Sequence, residues 1–400
     1  MWRSYVASDY TPKDELVRRI NGLKEKMTAA GIAFSVIMQN ADLFYLSGTI
    51  QKGVMVIPLD GEPLLFVERS LERVKAETPL EVTPVKSDKE IAGILKQKGL
   101  LKGNGGMELD VVPVSVFERF KRLIEFDQFV DVAPLIRELR IIKDPFELEQ
   151  VRKSGRIISR IFEKAKDVVS EGTREIDIDA ELVAEGRRYG HQGFLRMRGF
   201  NQEMMNLYVT AGLSSGVPSH EDVPIAGLGL TAAIAQGSSL KPVERGVPVV
   251  VDYGGGYNGY VTDETRVYAV GEMKERFKKG YEVAREIVED VTAFGREGVD
   301  CTEIFTRAHN LVRGAHLEEH FMGYGEGQVP FIGHGLGLEI NELPVITARH
   351  KRVLKEGMVF AFEPKFIFPG EGSVGIEVDF IVHRDRLERV VDFPIAPVYV

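Results

Sequence analysis

The sequence predicts a two-domain α/β protein, and three observations carry that expectation. A chain of 400 residues is longer than one ordinary core organises. Its first third alternates helix-spaced and strand-like apolar patterns, whereas beyond Lys143 long helical patterns lead into glycine-rich strands. Hydrophobic content of 44% and charged content of 28% match ordinary soluble globular proteins, which excludes a mostly disordered or collagen-like chain.

From Asp14 to Ala30, Leu16, Val17, Ile20, Leu23 and Met27 recur at helical spacing, and Gly31 closes the helix. Phe34–Met38 is a short apolar run suited to a buried strand. Val54–Leu59, Asp60-Gly61 and Pro63–Val67 read as a hairpin with a tight turn. Gly99–Gly106 reads as a loop rich in glycine and lysine, followed by a helix over Val111–Ile124. The domain boundary is expected near Ile142–Pro145, giving domains 1–143 and 144–400. Pro145 suits a first helical turn, and Leu148, Val151, Ile157, Ile158 and Ile161 carry the helix on to Val169. A second helix spans Glu175–Arg188, and Gly212–Gly246 is irregular. Strands follow at Val247–Tyr253 and Gly259–Val270, helices at Lys274–Phe294 and Thr302–His316, and then further strands.

Composition also removes several functions. The longest apolar runs, such as Val54–Pro58 and Val247–Val251, are strand-sized, far below the ~18 to 20 residues of a membrane span. Met1–Tyr5 leads into charged Lys13 and Asp14 without an apolar core, so no signal peptide is expected. Cys301 is the only cysteine, which forbids an intrachain disulfide and a cysteine-rich zinc site and suggests a reducing, cytoplasmic setting. A net charge of -9 without a run of five basic residues argues against nucleic-acid binding.

Five side chains in the second domain stand out as ligands: Asp252, Asp263, His334, Glu363 and Glu377. The two aspartates lie eleven positions apart on strand-like runs joined by Asn258-Gly259, a turn that can bring both carboxylates to one point. His334 is flanked by Gly333 and Gly335, while Glu363 and Glu377 interrupt apolar strands. Ionised carboxylates there are costly unless cations compensate them. Two divalent ions would do so, with the imidazole as nitrogen ligand. Such a carboxylate-rich set suits Mn²⁺, Co²⁺ or Fe²⁺, and also admits Zn²⁺. Glu339, Glu342, Glu371 and Asp379 read instead as solvated or structural.

The segments Asp252–Arg266, Gly333–Leu338, Glu363-Pro364 and Ile376-Glu377 resemble the pita-bread metallopeptidases, in particular the Xaa-Pro dipeptidase and aminopeptidase P branch. The ligand order Asp, Asp, His, Glu, Glu at intervals of 11, 71, 29 and 14 is similar to that branch. Ala41–Gly48 (ADLFYLSG) and Arg140–Glu147 (RIIKDPFE) resemble its creatinase-like N-terminal domain and the link to the catalytic domain. The resemblance implies that Asp252 binds one metal, that Asp263 and Glu377 bridge two, and that His334 and Glu363 hold the other. It further implies a metal-bridging hydroxide, Glu363 as proton carrier, a homodimer, and short peptides with proline second as substrates. The creatinase branch lacks these ligands, so creatine hydrolysis is disfavoured.

Three positions depart from the branch. Its histidine shortly before the first aspartate falls where this chain reads Ile234–Ser239, and a second usual histidine is replaced by Asn341. The arginine two positions before the last glutamate is Gly375. His220 reads either as a substitute from a rearranged loop or as a surface histidine; His191 and Arg196–Arg198 border another loop without an assigned role. These departures keep two alternatives open: a metalloenzyme acting on a non-peptide small molecule, and a non-catalytic peptide- or protein-binding module.

Overall fold

The computed structural model describes residues 9–100, 102–124 and 127–400. The Met1–Tyr5 segment weighed for a signal peptide lies outside them. The chain divides into two compact units, Met1–Arg140 with Arg198–Gln202, and Ile141–Met197 with Glu203–Val400.

The first unit runs α1 (Lys13–Ala30), β1 (Phe34–Ile37), α2 (Asn40–Ser47), β2 (Gly53–Pro58), β3 (Leu64–Val67), α3 (Leu71–Glu77) and β4 (Val82–Pro84). It continues with α4 (Asp88–Gln97), β5 (Gly105–Met107), α5 (Val114–Leu123), β6 (Phe129–Asp131) and α6 (Ala133–Arg140). Among the described residues its strands form one six-stranded sheet, ordered β4-β3-β2-β1-β5-β6. The expected hairpin is antiparallel β2–β3, and Gly31 ends α1 in a left-handed conformation. The expected loop Gly99–Gly106 needs correction, because its last two residues begin β5, a strand flanked on both sides. Glycine is required there by packing: a Cβ on Gly105 would lie 2.8 Å from the Phe34 ring. Crowding of that kind leaves no periodic signal in the sequence.

In the second unit α7 (Pro145–Val168) starts where Asp144 and Glu147 form a reciprocal capping box with proline at the first turn. Then follow α8 (Glu175–Arg188), β7 (Leu207–Ala211), β8 (Pro248–Tyr257), β9 (Tyr260–Ala269), α9 (Glu275–Phe294) and α10 (Cys301–Ala315). The remaining strands are β10 (Phe331–Gly335), β11 (Glu342–Thr347), β12 (Val359–Phe362), β13 (Lys365–Phe368), β14 (Gly372–Gly375), β15 (Val378–Val382), β16 (Leu387–Arg389) and β17 (Val398–Tyr399).

Among the described residues these strands form a four-stranded sheet β17-β9-β8-β7, a five-stranded sheet β11-β10-β12-β15-β16, and the β13–β14 pair. Ile157, Ile158, Ile161 and Phe162 of α7 pack with Val209, Val249 and Val251 of the first sheet. Phe277, Ile287 and Val291 of α9 and Ile304 of α10 share a core with Phe360, Val378 and Phe380 of the second. Val250 and Val267 of the first sheet join that second core as well, and apolar burial drives both packings. Strand β7 has no counterpart in the sequence reading, like α2, α3, β4, α4, β6 and α6 of the first unit; it supplies the edge beside β8.

Candidate metal centre

Strands β8 and β9 form a long hairpin in which Asn258 and Gly259 both have positive φ, as a tight two-residue turn requires. Register places Gly254 opposite Asp263 and Thr265 opposite Asp252. A backbone bridge then ties Thr265 to Glu377, with each N–H donating to the other's carbonyl. His334 sits in β10, paired with Ala361 of β12, and Glu363 directly follows β12. The two sheets therefore deliver all five expected side chains to one buried cluster, because strand register fixes where each carboxylate emerges.

The cluster has two ends. At one, His334 Nε2 stands 3.9 Å from Asp263 Oδ2, 3.9 Å from Glu363 Oε1 and 4.0 Å from Glu377 Oε1. The imidazole Nδ1 lies 3.3 Å from the Gly335 carbonyl. That oxygen can only accept, so Nδ1 donates there and Nε2 is left facing the carboxylates. One ligand atom each from Asp263, His334 and Glu377 falls within 4.8 Å of the others. Atoms held about 2 Å from one ion lie at most about 4 Å apart, so this end fits a single divalent cation after small adjustments.

The other end is filled by a side chain that the sequence reading passed over. Lys365 Nζ lies 3.0 Å from Asp252 Oδ2, 3.0 Å from Glu363 Oε2 and 2.7 Å from Glu377 Oε2. Its side chain is only 3% exposed. Burial by itself would pull this ammonium down, but Asp252, Glu377, Glu363 and Asp263 together hold it well above lysine's ordinary value. Burial pushes Asp263 well up, and the charges of Glu377 and Asp252 add to the rise. Burial also raises Asp252, against the pull of Lys365. A signal for Lys365 was present: it stands two positions beyond Glu363, and alternate positions of an extended chain face the same side.

A supporting layer lies behind these groups. The Asp263 N–H donates to Asp379, Thr265 donates its hydroxyl to Glu377 Oε2, and Arg266 donates to the Glu377 carbonyl. Arg266 also pairs with Glu264, which burial lifts to about 7. Asp379 is fully buried, as the structural reading of that residue anticipated. Glu342 is structural too, accepting from the Leu338 and Glu339 N–H groups and pairing with Lys143. Glu371 pairs at the surface with Arg276 and Lys274.

The candidate histidines divide differently. His220 is exposed and bonded within its own loop, to Ser219 and Glu221. His191 is buried, accepts from the Gly193 N–H at Nδ1 and donates from Nε2 to the Gly254 carbonyl. Both nitrogens are committed, which makes it a strut under β8. Asn341 lies in the turn entering β11, the strand paired with β10. Gln236, within the stretch where the branch carries a histidine, accepts from the hydroxyl of Tyr208. Tyr208 stands opposite Asp252 in the β7–β8 register, and burial, then Asp252, Glu221 and Asp263, raise its phenol. It too escaped the sequence reading, since β7 carries no motif.

A buried cluster of carboxylates around one imidazole, set between paired sheets, is the candidate site, and the chain belongs to metallopeptidase family M24, whose model matches residues 149–384. A creatinase/prolidase N-terminal domain matches residues 19–142. The chain is 29% identical over 374 residues to the Xaa-Pro dipeptidase of Pyrococcus furiosus, covering 93% of this chain and 97% of that one. It superposes on the Xaa-Pro dipeptidase from Bacillus anthracis with a TM-score of 0.83 at 25% identity, covering 96% and 100% of the two chains. For the Pyrococcus furiosus prolidase the TM-score is 0.77 at 27% identity, with coverage of 93% and 99%. The expected mixed α/β architecture, with a creatinase-like domain ahead of a catalytic one, therefore stands, as does the expected class of peptidase. No helix among the described residues is long and apolar enough to cross a membrane.

Proposed function

We propose that this enzyme is a divalent-metal-dependent peptidase acting on short peptides with proline in second position. The observation that carries the reading is the His334 end of the cluster, where one imidazole faces three carboxylate oxygens at 3.9 to 4.0 Å. Asp263, His334, Glu363 and Glu377 would hold the ion, and Mn²⁺ is the first candidate for so carboxylate-rich a set. Bound there, the ion supplies Lewis acidity for amide hydrolysis.

The chain's own groups do the rest. Glu363 faces the His334 end through Oε1 and is anchored through Oε2 by Lys365, so it can take a proton from attacking water and pass it to the leaving nitrogen. Lys365 and the Thr265 hydroxyl fix the rotamer of Glu377. Tyr208, its phenol raised by burial, stands opposite Asp252 in the β7–β8 register and donates its hydroxyl to Gln236.

Metal-loaded protein should release amino acids from a panel of Xaa-Pro dipeptides and Xaa-Pro-Yaa tripeptides, and the stripped protein should not. No metal-dependent release from any peptide would sink the reading. A non-peptide small-molecule substrate is favoured by a separate observation: the Ile234–Ser239 stretch, Asn341 and Gly375 stand where the branch carries two histidines and an arginine. Comparing turnover of the peptide panel with that of a pool of amides and esters lacking a peptide bond separates the two.

A further inference from the structure

We propose that Lys365 takes the place of a second metal ion, so that the centre holds one divalent ion at its His334 end and a built-in ammonium at its Asp252 end. The proposal deepens the reading of this cluster as a hydrolase metal site and rests on it.

Three geometric observations converge. First, Glu363 and Glu377 are each split between the two ends: Oε2 meets Lys365 at 3.0 and 2.7 Å, while Oε1 faces His334 at 3.9 and 4.0 Å. That is the disposition of a carboxylate bridging two cations, with nitrogen as one of them. Second, an ammonium has three donors, and Lys365 finds one oxygen on each of Asp252, Glu363 and Glu377. A divalent ion needs those same oxygens at about 2.0–2.6 Å, so it and Nζ cannot share the space. Third, the backbone makes room for the lysine. Lys365 pairs with Gly375 across the β13–β14 ladder. A Cβ on Gly375 would lie 2.5 Å from Lys365 Cγ and 2.8 Å from its Cα. Gly375, read in the sequence only as a lost arginine, is thus the vacancy through which the Lys365 stem reaches the cluster.

Charge balance agrees. Asp252, Asp263, Glu363 and Glu377 carry four negative charges when ionised. One divalent ion plus one ammonium leaves a single negative charge. A second divalent ion would give the cluster excess positive charge with two cations nearly in contact, at a Coulomb cost of several kcal/mol even in a moderately polarisable interior. Asp252 is then the lysine's partner rather than a metal ligand, in place of the two-ion arrangement expected from the resemblance.

Counting ions on the full-length chain tests this directly. Protein stripped of metal and reloaded with Mn²⁺ should show one ion per chain by native mass spectrometry, with the paramagnetic spectrum of an isolated Mn²⁺. Two tightly bound ions, or a spin-coupled pair, overturn the proposal. Asp263→Asn should weaken binding about 100-fold or more, and Asp252→Asn should stay within about tenfold of the parent. Equal losses in the two variants would make Asp252 a ligand and refute the assignment. Lys365→Gly should admit a second ion; a folded Lys365→Gly protein that still binds one contradicts it. Should that variant fail to fold, the parent's ion count and the Asp252→Asn affinity decide the matter. A parent that binds no ion overturns both this proposal and the metal-hydrolase reading, whereas one bound ion without Xaa-Pro cleavage overturns only the substrate assignment.

Discussion

Both units bury a group of acids, and they neutralise them in opposite ways. In the first unit Asp42 receives Arg140 on one oxygen at 2.7 Å and Arg198 on the other at 2.9 Å. Arg198 also grips both oxygens of Asp110. Glu108 accepts the Met38 and Gln39 N–H groups, and burial, followed by the Asp42 charge, lifts it to about 8. Planar guanidinium forks and backbone amides occupy the acceptors there, so the group is closed and structural. In the second unit the carboxylates share one ammonium, and three of their oxygens face the imidazole at distances too long for a hydrogen bond. Spare acceptor capacity around an imidazole is what a ligand set offers and a closed salt-bridge group does not.

The largest effect is expected from Asp263→Ala. It should lose its ion by elemental analysis and about 10³-fold or more in turnover, equivalent to ~4 kcal/mol. Retained ion and activity would erase the contrast between the units. Lys365→Met should cost about 3 to 5 kcal/mol of stability in chelator, because it leaves buried carboxylates uncompensated. Added Mn²⁺ should restore part of that in denaturant titrations. Arg198→Met should also destabilise, by about 3 kcal/mol, but equally in chelator and in Mn²⁺, since no ion serves its acids. A metal-dependent loss there would break the comparison.

Glu108 offers a test by pH. Its folded value of about 8 lies above the ordinary 4.5, so between these values the folded chain holds a proton that the unfolded chain has released. Its contribution is full below about pH 4.5 and is lost as pH rises through about 8, on the order of 5 kcal/mol. Glu108→Gln should flatten that slope in denaturant titrations from pH 5 to 9. The smallest effect is expected at Asn341. Asn341→His should leave the ion count unchanged and raise Xaa-Pro turnover by well under the ~10²-fold that a native oxyanion donor provides. Abolition of an existing activity by the same change would instead favour a non-peptide substrate.

Much of this was legible in residue order. Leu16, Ile20, Leu23 and Met27 announce α1, and Asp144, Pro145 and Glu147 announce the start of α7, because helix periodicity and caps are local chemistry. The spacing of Asp252, Asp263, His334, Glu363 and Glu377 announced a ligand set, since acids and a histidine are conspicuous in apolar or glycine-rich strands. Strand β5 was missed because its glycines answer to the Phe34 ring, and β7 because its one partner in the sheet, β8, is remote in sequence. Tertiary structure alone decided how the cluster is neutralised. Lys365, two positions beyond Glu363, hints at a shared face but not at the acids it meets, and Gly375 in residue order is one more glycine. Only when the β13–β14 register sets them opposite each other, with Asp252 brought in from β8, does the ammonium meet three carboxylates. Ligand identity is a property of single residues, whereas charge compensation depends on distances between residues as far apart in the chain as Asp252 and Lys365.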